Sequence, residues 1–171
     1  EQEANSLREA LRNVSGLTFN AAEGGRSGDN TMLRGFYTFG DLYLDGIRDT
    51  AQYNREVFNL EQVDVLRGSA AMLFGRGQAG GVINQVSKTP MLYGINKAGV
   101  GIGTNGFQEV KADINQRIGE STAVRVNLMN RDEGSARSNP YTGTEPEIHR
   151  SGVAPSISFG LGTPHEVTLS H

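Results

Sequence analysis

Apolar residues change their spacing along this chain, and the spacing predicts its elements. Leu7, Leu11 and Val14 fall at i, i+4 and i+7 on one helical face; Ser6-Leu7-Arg8-Glu9 forms a capping box before them and Gly16 is placed to end the helix. The spacing then shortens. Thr31 to Phe36 and Asp41 to Ile47 predict short strands, the second with Leu42 and Leu44 on one face and an Asp45-Gly46 turn signal. Val63, Val65 and Leu66 mark another strand. Ser69 to Phe74 predicts one or two helical turns, capped by Ser69 and stopped by Gly75, and Gly81 to Lys88 is extended again. Gly24 to Asn30 reads as a polar loop, so the first portion mixes helix and strand.

Beyond Pro90 the period is two. Val110, Ala112 and Ile114 alternate with Lys111, Asp113, Asn115 and Arg117; Val124, Val126 and Leu128 alternate with Arg125 and Asn127. Val153, Pro155, Ile157 and Phe159 oppose Ala154, Ser156 and Ser158, and Val167 with Leu169 begins a further strand. Thr104 to Gly106, Gly119 to Ser121 and Leu161 to Pro164 predict tight turns, whereas Asp132 to Arg150 reads as one long polar loop. Such a meander suits either a soluble β-sandwich or a membrane barrel, whose strands are about 10 residues long. Lys111, Asp113, Arg117 and Arg125 would line a wet lumen in the barrel and face bulk solvent in the sandwich. Five such strands cannot close a barrel, and an open apolar face with an unpaired edge would aggregate, so the chain is expected to be a piece of a longer one.

Composition narrows the classes. The 171 residues allow one medium domain or two small ones, and 36% apolar residues are enough for a core. A net charge of −3, with no lysine or arginine run, argues against a nucleic-acid partner. There is no cysteine, which excludes disulfides and thiolate metal sites. No run of roughly 18 apolar residues exists for a transmembrane helix, which leaves barrel strands open. His149, His165 and His171 lack metal-ligand spacing on a shared face and read as surface residues. No nucleophilic triad or carboxylate pair stands out, so no catalysis is expected. Gly75 to Gly80 matches GxGxxG, but a helix-like segment precedes it and a strand-like one follows, the reverse of a dinucleotide site.

Several motifs occur in order. Leu33-Arg34-Gly35-Phe36, Leu44-Asp45-Gly46-Ile47-Arg48, Val63-Asp64-Val65-Leu66-Arg67-Gly68, Met72 to Gly77 and Gly80 to Pro90 together resemble the plug signature of TonB-dependent siderophore receptors, from about residue 4 to 90. Ser69 departs from it, standing where the family usually has proline after Arg67-Gly68. The resemblance implies an α+β plug with a small mixed sheet over residues 1–90. The first antiparallel strands of a transmembrane β-barrel would follow over 91–171, part of a plugged barrel of about 22 strands. It also implies the bacterial outer membrane, with the plug inside the lumen facing the periplasm, and lipid around the barrel. The implied function is TonB-energised uptake of a ferric siderophore, TonB binding a box upstream of residue 1. Iron would be cargo, and no cofactor is expected. The alternatives are another cargo (cobalamin, haem, an oligosaccharide), a transporter that also signals through an N-terminal extension, or a soluble glycine-rich nucleotide enzyme.

The resemblance also nominates residues. The segment from Arg48 to Arg55 aligns with a ligand-facing plug loop and carries cationic and aromatic groups suited to an anionic, ring-bearing chelate. Arg48, Tyr53, Arg55 and Phe58 are the expected contacts, with Arg34 beside them. Arg67 is instead expected to pair with a glutamate of the barrel wall, because a buried guanidinium needs a carboxylate.

Overall fold

The structure, a computed structural model, describes residues 4, 6–19, 31–38, 41–51, 53–67, 80–134 and 147–171. It divides into two compact units, Glu1–Lys88 and Thr89–His171.

In the first unit, Ser6 caps α1 (Leu7–Ala10), its side chain accepting from the Glu9 amide at 3.3 Å. The helix is shorter than the expected run to Gly16. After its first turn the amides of Arg12 and Val14 bond to Glu9 and Leu11 carbonyls three residues back, and Gly16 turns the chain at φ 77. Two short sheets complete the unit. One is β1 (Leu17–Phe19), β2 (Thr31–Leu33) and β3 (Phe36–Tyr37), antiparallel in that order. The other, in the order β5-β4-β7-β6, contains β4 (Leu42–Leu44), β5 (Ile47–Arg48), β6 (Leu60–Leu66) and β7 (Val82–Ser87), with β4 and β7 parallel.

Two segments expected as single strands are therefore hairpins. Arg34 (φ 55) with Gly35 (φ 86), and Asp45 (φ 51) with Gly46 (φ 80), form two-residue turns with positive φ at both positions, the twist-matched geometry for tight hairpins. Asparagine or aspartate is usual at the first of these positions; arginine at 34 hides the turn from the sequence. Between the layers, Leu7, Leu11, Leu17, Leu33, Leu42 and Ile83 form the core. The expected polar loop at 24–30 and the helical turns and glycine motif over 69–79 lie outside the described residues.

The second unit is a five-stranded antiparallel meander: β8 (Ile95–Ile102), β9 (Gln108–Arg117), β10 (Thr122–Gly134), β11 (Glu147–Phe159) and β12 (Val167–Ser170). The polar stretch expected as a loop from Asp132 to Arg150 is partly strand. Asp132, Glu133 and Gly134 pair with His149, Ile148 and Glu147, extending the ladder through polar residues because strand pairing is a backbone interaction.

Its burial pattern is inverted relative to a soluble sheet. Val100, Val110, Ile114, Leu128, Val153, Phe159, Val167 and Leu169 are exposed, while Glu109, Asp113, Asn115, Asn127, Arg125 and Arg131 are buried. Apolar outside and charged inside is the arrangement of a barrel wall in lipid around a polar interior. In a water-soluble sandwich the aliphatic face would be the covered one.

Candidate functional site

The segment between β5 and β6 is built around one carboxylate. Asp49 is anchored at the end of β4, its amide donating to the Leu42 carbonyl at 2.8 Å. Its Oδ2 accepts Arg55 Nε at 2.9 Å and the Tyr53 hydroxyl at 2.8 Å, and its Oδ1 accepts the Ala51 amide at 3.3 Å. Arg55 continues the network, donating from Nη2 to the Ala51 carbonyl at 2.7 Å and from Nη1 to the Tyr53 carbonyl at 3.3 Å. Its guanidinium carbon lies 4.2 Å from the centre of the Tyr53 ring, a cation–π distance. The base of the loop is tied to α1, because the Leu7 amide donates to the Arg55 carbonyl at 3.0 Å.

This geometry shifts two groups. Burial pushes the Asp49 carboxyl up, but hydrogen bonds from Arg55 and Tyr53 and the positive charge outweigh it and hold the group below its usual value. Burial, and then donation to the Asp49 carboxylate, raises the Tyr53 phenol.

The two arginines of the loop differ. Arg55 is 2% exposed, whereas Arg48 is exposed and meets the buried Asp41 carboxylate only at 3.7 Å. Tyr53 is 45% exposed.

The other expected contacts are dispersed. Arg34 is exposed at the β2–β3 turn, its amide held by the Gly16 carbonyl at 2.7 Å. Arg67 follows β6 and is exposed, its Nη1 donating to Ser15 Oγ at 3.2 Å, so burial does not impose an ionic partner on it. Both flank the Ser15-Gly16 corner, at the end of the four-stranded sheet where Leu66 pairs with Val82 and Leu42 with Ile83. Asp49 shares that end. Phe58 does not: it precedes Leu60, which pairs with Ser87 at the opposite end, and Lys88 Nζ donates to its carbonyl at 2.9 Å. The seven residues of β6 separate the two ends by about 20 Å. Phe36 and Tyr37, exposed on β3 directly after the Arg34-Gly35 turn, add aromatic surface that was not among the expected contacts. The signal available was their position beside an Arg-Gly pair.

On the second unit the polar face carries several groups of paired charges and hydrogen bonds. Arg125 forms a two-pronged pair with Asp113 and donates to the Thr89 carbonyl at 2.8 Å. Glu109 lies 2.9 Å from Lys111 Nζ and 3.7 Å from Arg131 Nη1. Asn115, fully buried, accepts the Met91 amide at 2.9 Å and donates to the Met91 carbonyl at 2.8 Å, which lays the 91–93 segment across this face.

Comparison with known proteins agrees. Residues 1–82 match the family described as the TonB-dependent Receptor Plug Domain. The chain is 40% identical over 168 residues to the probable TonB-dependent siderophore receptor PiuA of Acinetobacter baumannii, covering 97% of this chain and 22% of that protein. It is 39% identical over 174 residues to the catecholate siderophore receptor Fiu of Escherichia coli K12, covering 100% of this chain and 22% of that protein. The chain belongs to the TonB-dependent receptors.

The crystal structure of PiuA from Acinetobacter baumannii superposes with a TM-score of 0.88 at 39% identity, covering 99% of this chain and 24% of that one. A TonB-dependent receptor is an outer-membrane protein, which accounts for the inverted sheet. The chain spans about a fifth of the length of the curated relatives it matches.

Proposed function

We propose that this chain is part of a receptor that captures a ferric siderophore at the cell surface and passes it across the outer membrane. The TonB complex supplies the work by pulling on a segment upstream of the plug. The plug comprises residues 1–90 and sits in the lumen of the barrel whose first strands are residues 91–171. No bond is made or broken in this cycle; iron is cargo and no resident cofactor takes part.

The observation that carries the reading is the sheet of the second unit, apolar outward and charged inward, which suits a wall between lipid and a wet lumen. At the Leu42–Val82 end of the plug sheet, exposed Arg34 and Arg48 offer positive charge and Tyr53 offers an aromatic face. Those are the groups that an anionic chelate with aromatic rings requires. Similarity to a catecholate receptor points to catecholate as the class. Phe58, at the other end of the sheet, supports packing instead of contact. For Arg67 the proposed role is pairing with a carboxylate of the barrel wall.

The test is equilibrium binding of ferric tris-catecholate to the complete receptor. Tyr53→Ala and Arg48→Ala are each expected to weaken it about tenfold, the loss of one charge-assisted or stacking contact. Unchanged affinity in both removes the assignment. Arg67→Ala should leave affinity intact and alter plug retention or transport. Ferric tris-acetohydroxamate should compete weakly, and equal competition would overturn the catecholate class.

A further inference from the structure

We infer that Arg55 is the positioning residue of the contact loop: a clasp that sets the Tyr53 ring and does not itself touch the cargo. The inference deepens the proposed reading and rests on it, since the loop's shape matters to uptake only if the loop meets the chelate.

Three observations carry it. The guanidinium is buried at 2% exposure, so none of its edge is offered to a ligand. Its charge is answered within the loop by the Asp49 carboxylate at 2.9 Å, which leaves little field to attract an anion. And its donors point inward: one planar fork spans Asp49, the Ala51 carbonyl and the Tyr53 carbonyl, while its central carbon sits 4.2 Å over the Tyr53 ring. The phenol hydroxyl is then fixed by donation to the same carboxylate. Ring face and ring edge are thus both set before any ligand arrives, which removes an ordering cost from binding. Arg48, with its head group exposed, is the loop arginine left for contact. Lysine cannot replace the clasp, because a point ammonium has neither the planar fork nor the stacking surface.

The test is a double-substitution cycle in the complete receptor, titrated with ferric tris-catecholate. Tyr53→Ala and Arg55→Lys are each expected to weaken binding about tenfold, and the double variant to bind no worse than Tyr53→Ala within about twofold, because both changes remove the same preorganised ring. Arg48→Ala combined with Arg55→Lys should multiply. Wild-type affinity in Arg55→Lys alongside a weakened Tyr53→Ala overturns the clasp while leaving the loop reading standing. A fully multiplicative Tyr53/Arg55 pair also overturns it, since Arg55 would then act on the cargo independently. Unchanged affinity in Tyr53→Ala instead defeats the loop reading itself. Should Arg55→Lys fail to assemble, Asp49→Asn removes the orienting carboxylate at constant volume and carries the same cycle with the same outcomes.

Discussion

Arg125 and Asp113 meet edge to edge on the polar face of the second unit, Nε to Oδ1 and Nη2 to Oδ2 both at 2.8 Å, with Arg125 only 3% exposed. The two are diagonal neighbours in the ladder: Arg125 stands opposite Asn115, and Asp113 opposite Asn127. A planar two-pronged pair of this kind stabilises only while both members are present. Asp113→Ala is expected to cost about 3 to 5 kcal/mol by stranding a buried guanidinium. Denaturant unfolding of the complete receptor in lipid vesicles measures it, and the Arg125→Leu, Asp113→Leu double variant should lose less than the sum of its single changes.

Val153 and Ala154 are sequence neighbours on opposite faces of β11, with Val153 opposite Leu128 and Ala154 opposite Asn127. If the apolar face meets lipid, Val153→Arg should cost about 2 to 4 kcal/mol of folding free energy in a bilayer, and Ala154→Arg under about 1 kcal/mol. The yield of folded receptor in vesicles against denaturant reads both, and an equal cost for the two would contradict the orientation of the sheet.

Gly81 leads into β7 at φ 133, where an added Cβ would collide with the Leu66 carbonyl and come within 2.8 Å of Leu33 Cδ2. Strand and core crowd it from two sides. Gly81→Ala is therefore expected to destabilise the plug by about 2 to 4 kcal/mol. Faster hydrogen exchange of the Val82 to Ser87 amides in the complete receptor, with barrel strands unaffected, is the expected signature.

The loop network predicts two limits on pH. Burial alone would raise Asp49, but its hydrogen bonds from Arg55 and Tyr53 win, placing its folded value below the ordinary 3.8. A lowered value means its stabilisation is complete above 3.8 and is lost as pH falls through the folded value. Tyr53 behaves oppositely. Burial and then the Asp49 contact raise it above 10.0, so its contribution is complete below that value and is lost as pH rises through the folded one. Exchange of the Ala51 amide against pH should lose its acid limb in Asp49→Asn and its alkaline limb in Tyr53→Phe. Wild-type profiles in both variants would show that the network does not hold the loop.

Much of the architecture was legible because it is encoded locally. Period-two alternation in Val110 to Arg117 follows from the pleat of a single strand, and Ser6 capping Glu9 needs only four consecutive residues. The turn at Arg34-Gly35 was not legible, because arginine is an uncommon choice at positive φ and is held there by strand pairing and by the Gly16 carbonyl, contacts distant in sequence or made only on folding.

The residue sequence by itself determined that one face of the later strands is aliphatic and the other charged, and that a cationic, aromatic loop follows β5. Tertiary structure alone decided which face is covered, which of two loop arginines is buried, and that Tyr53 and Phe58 belong to opposite regions of the plug. The reason is physical. Periodicity reports the difference between two faces but not the medium each meets, and whether a guanidinium turns inward depends on a carboxylate and two carbonyls that only folding brings within 3.3 Å of it.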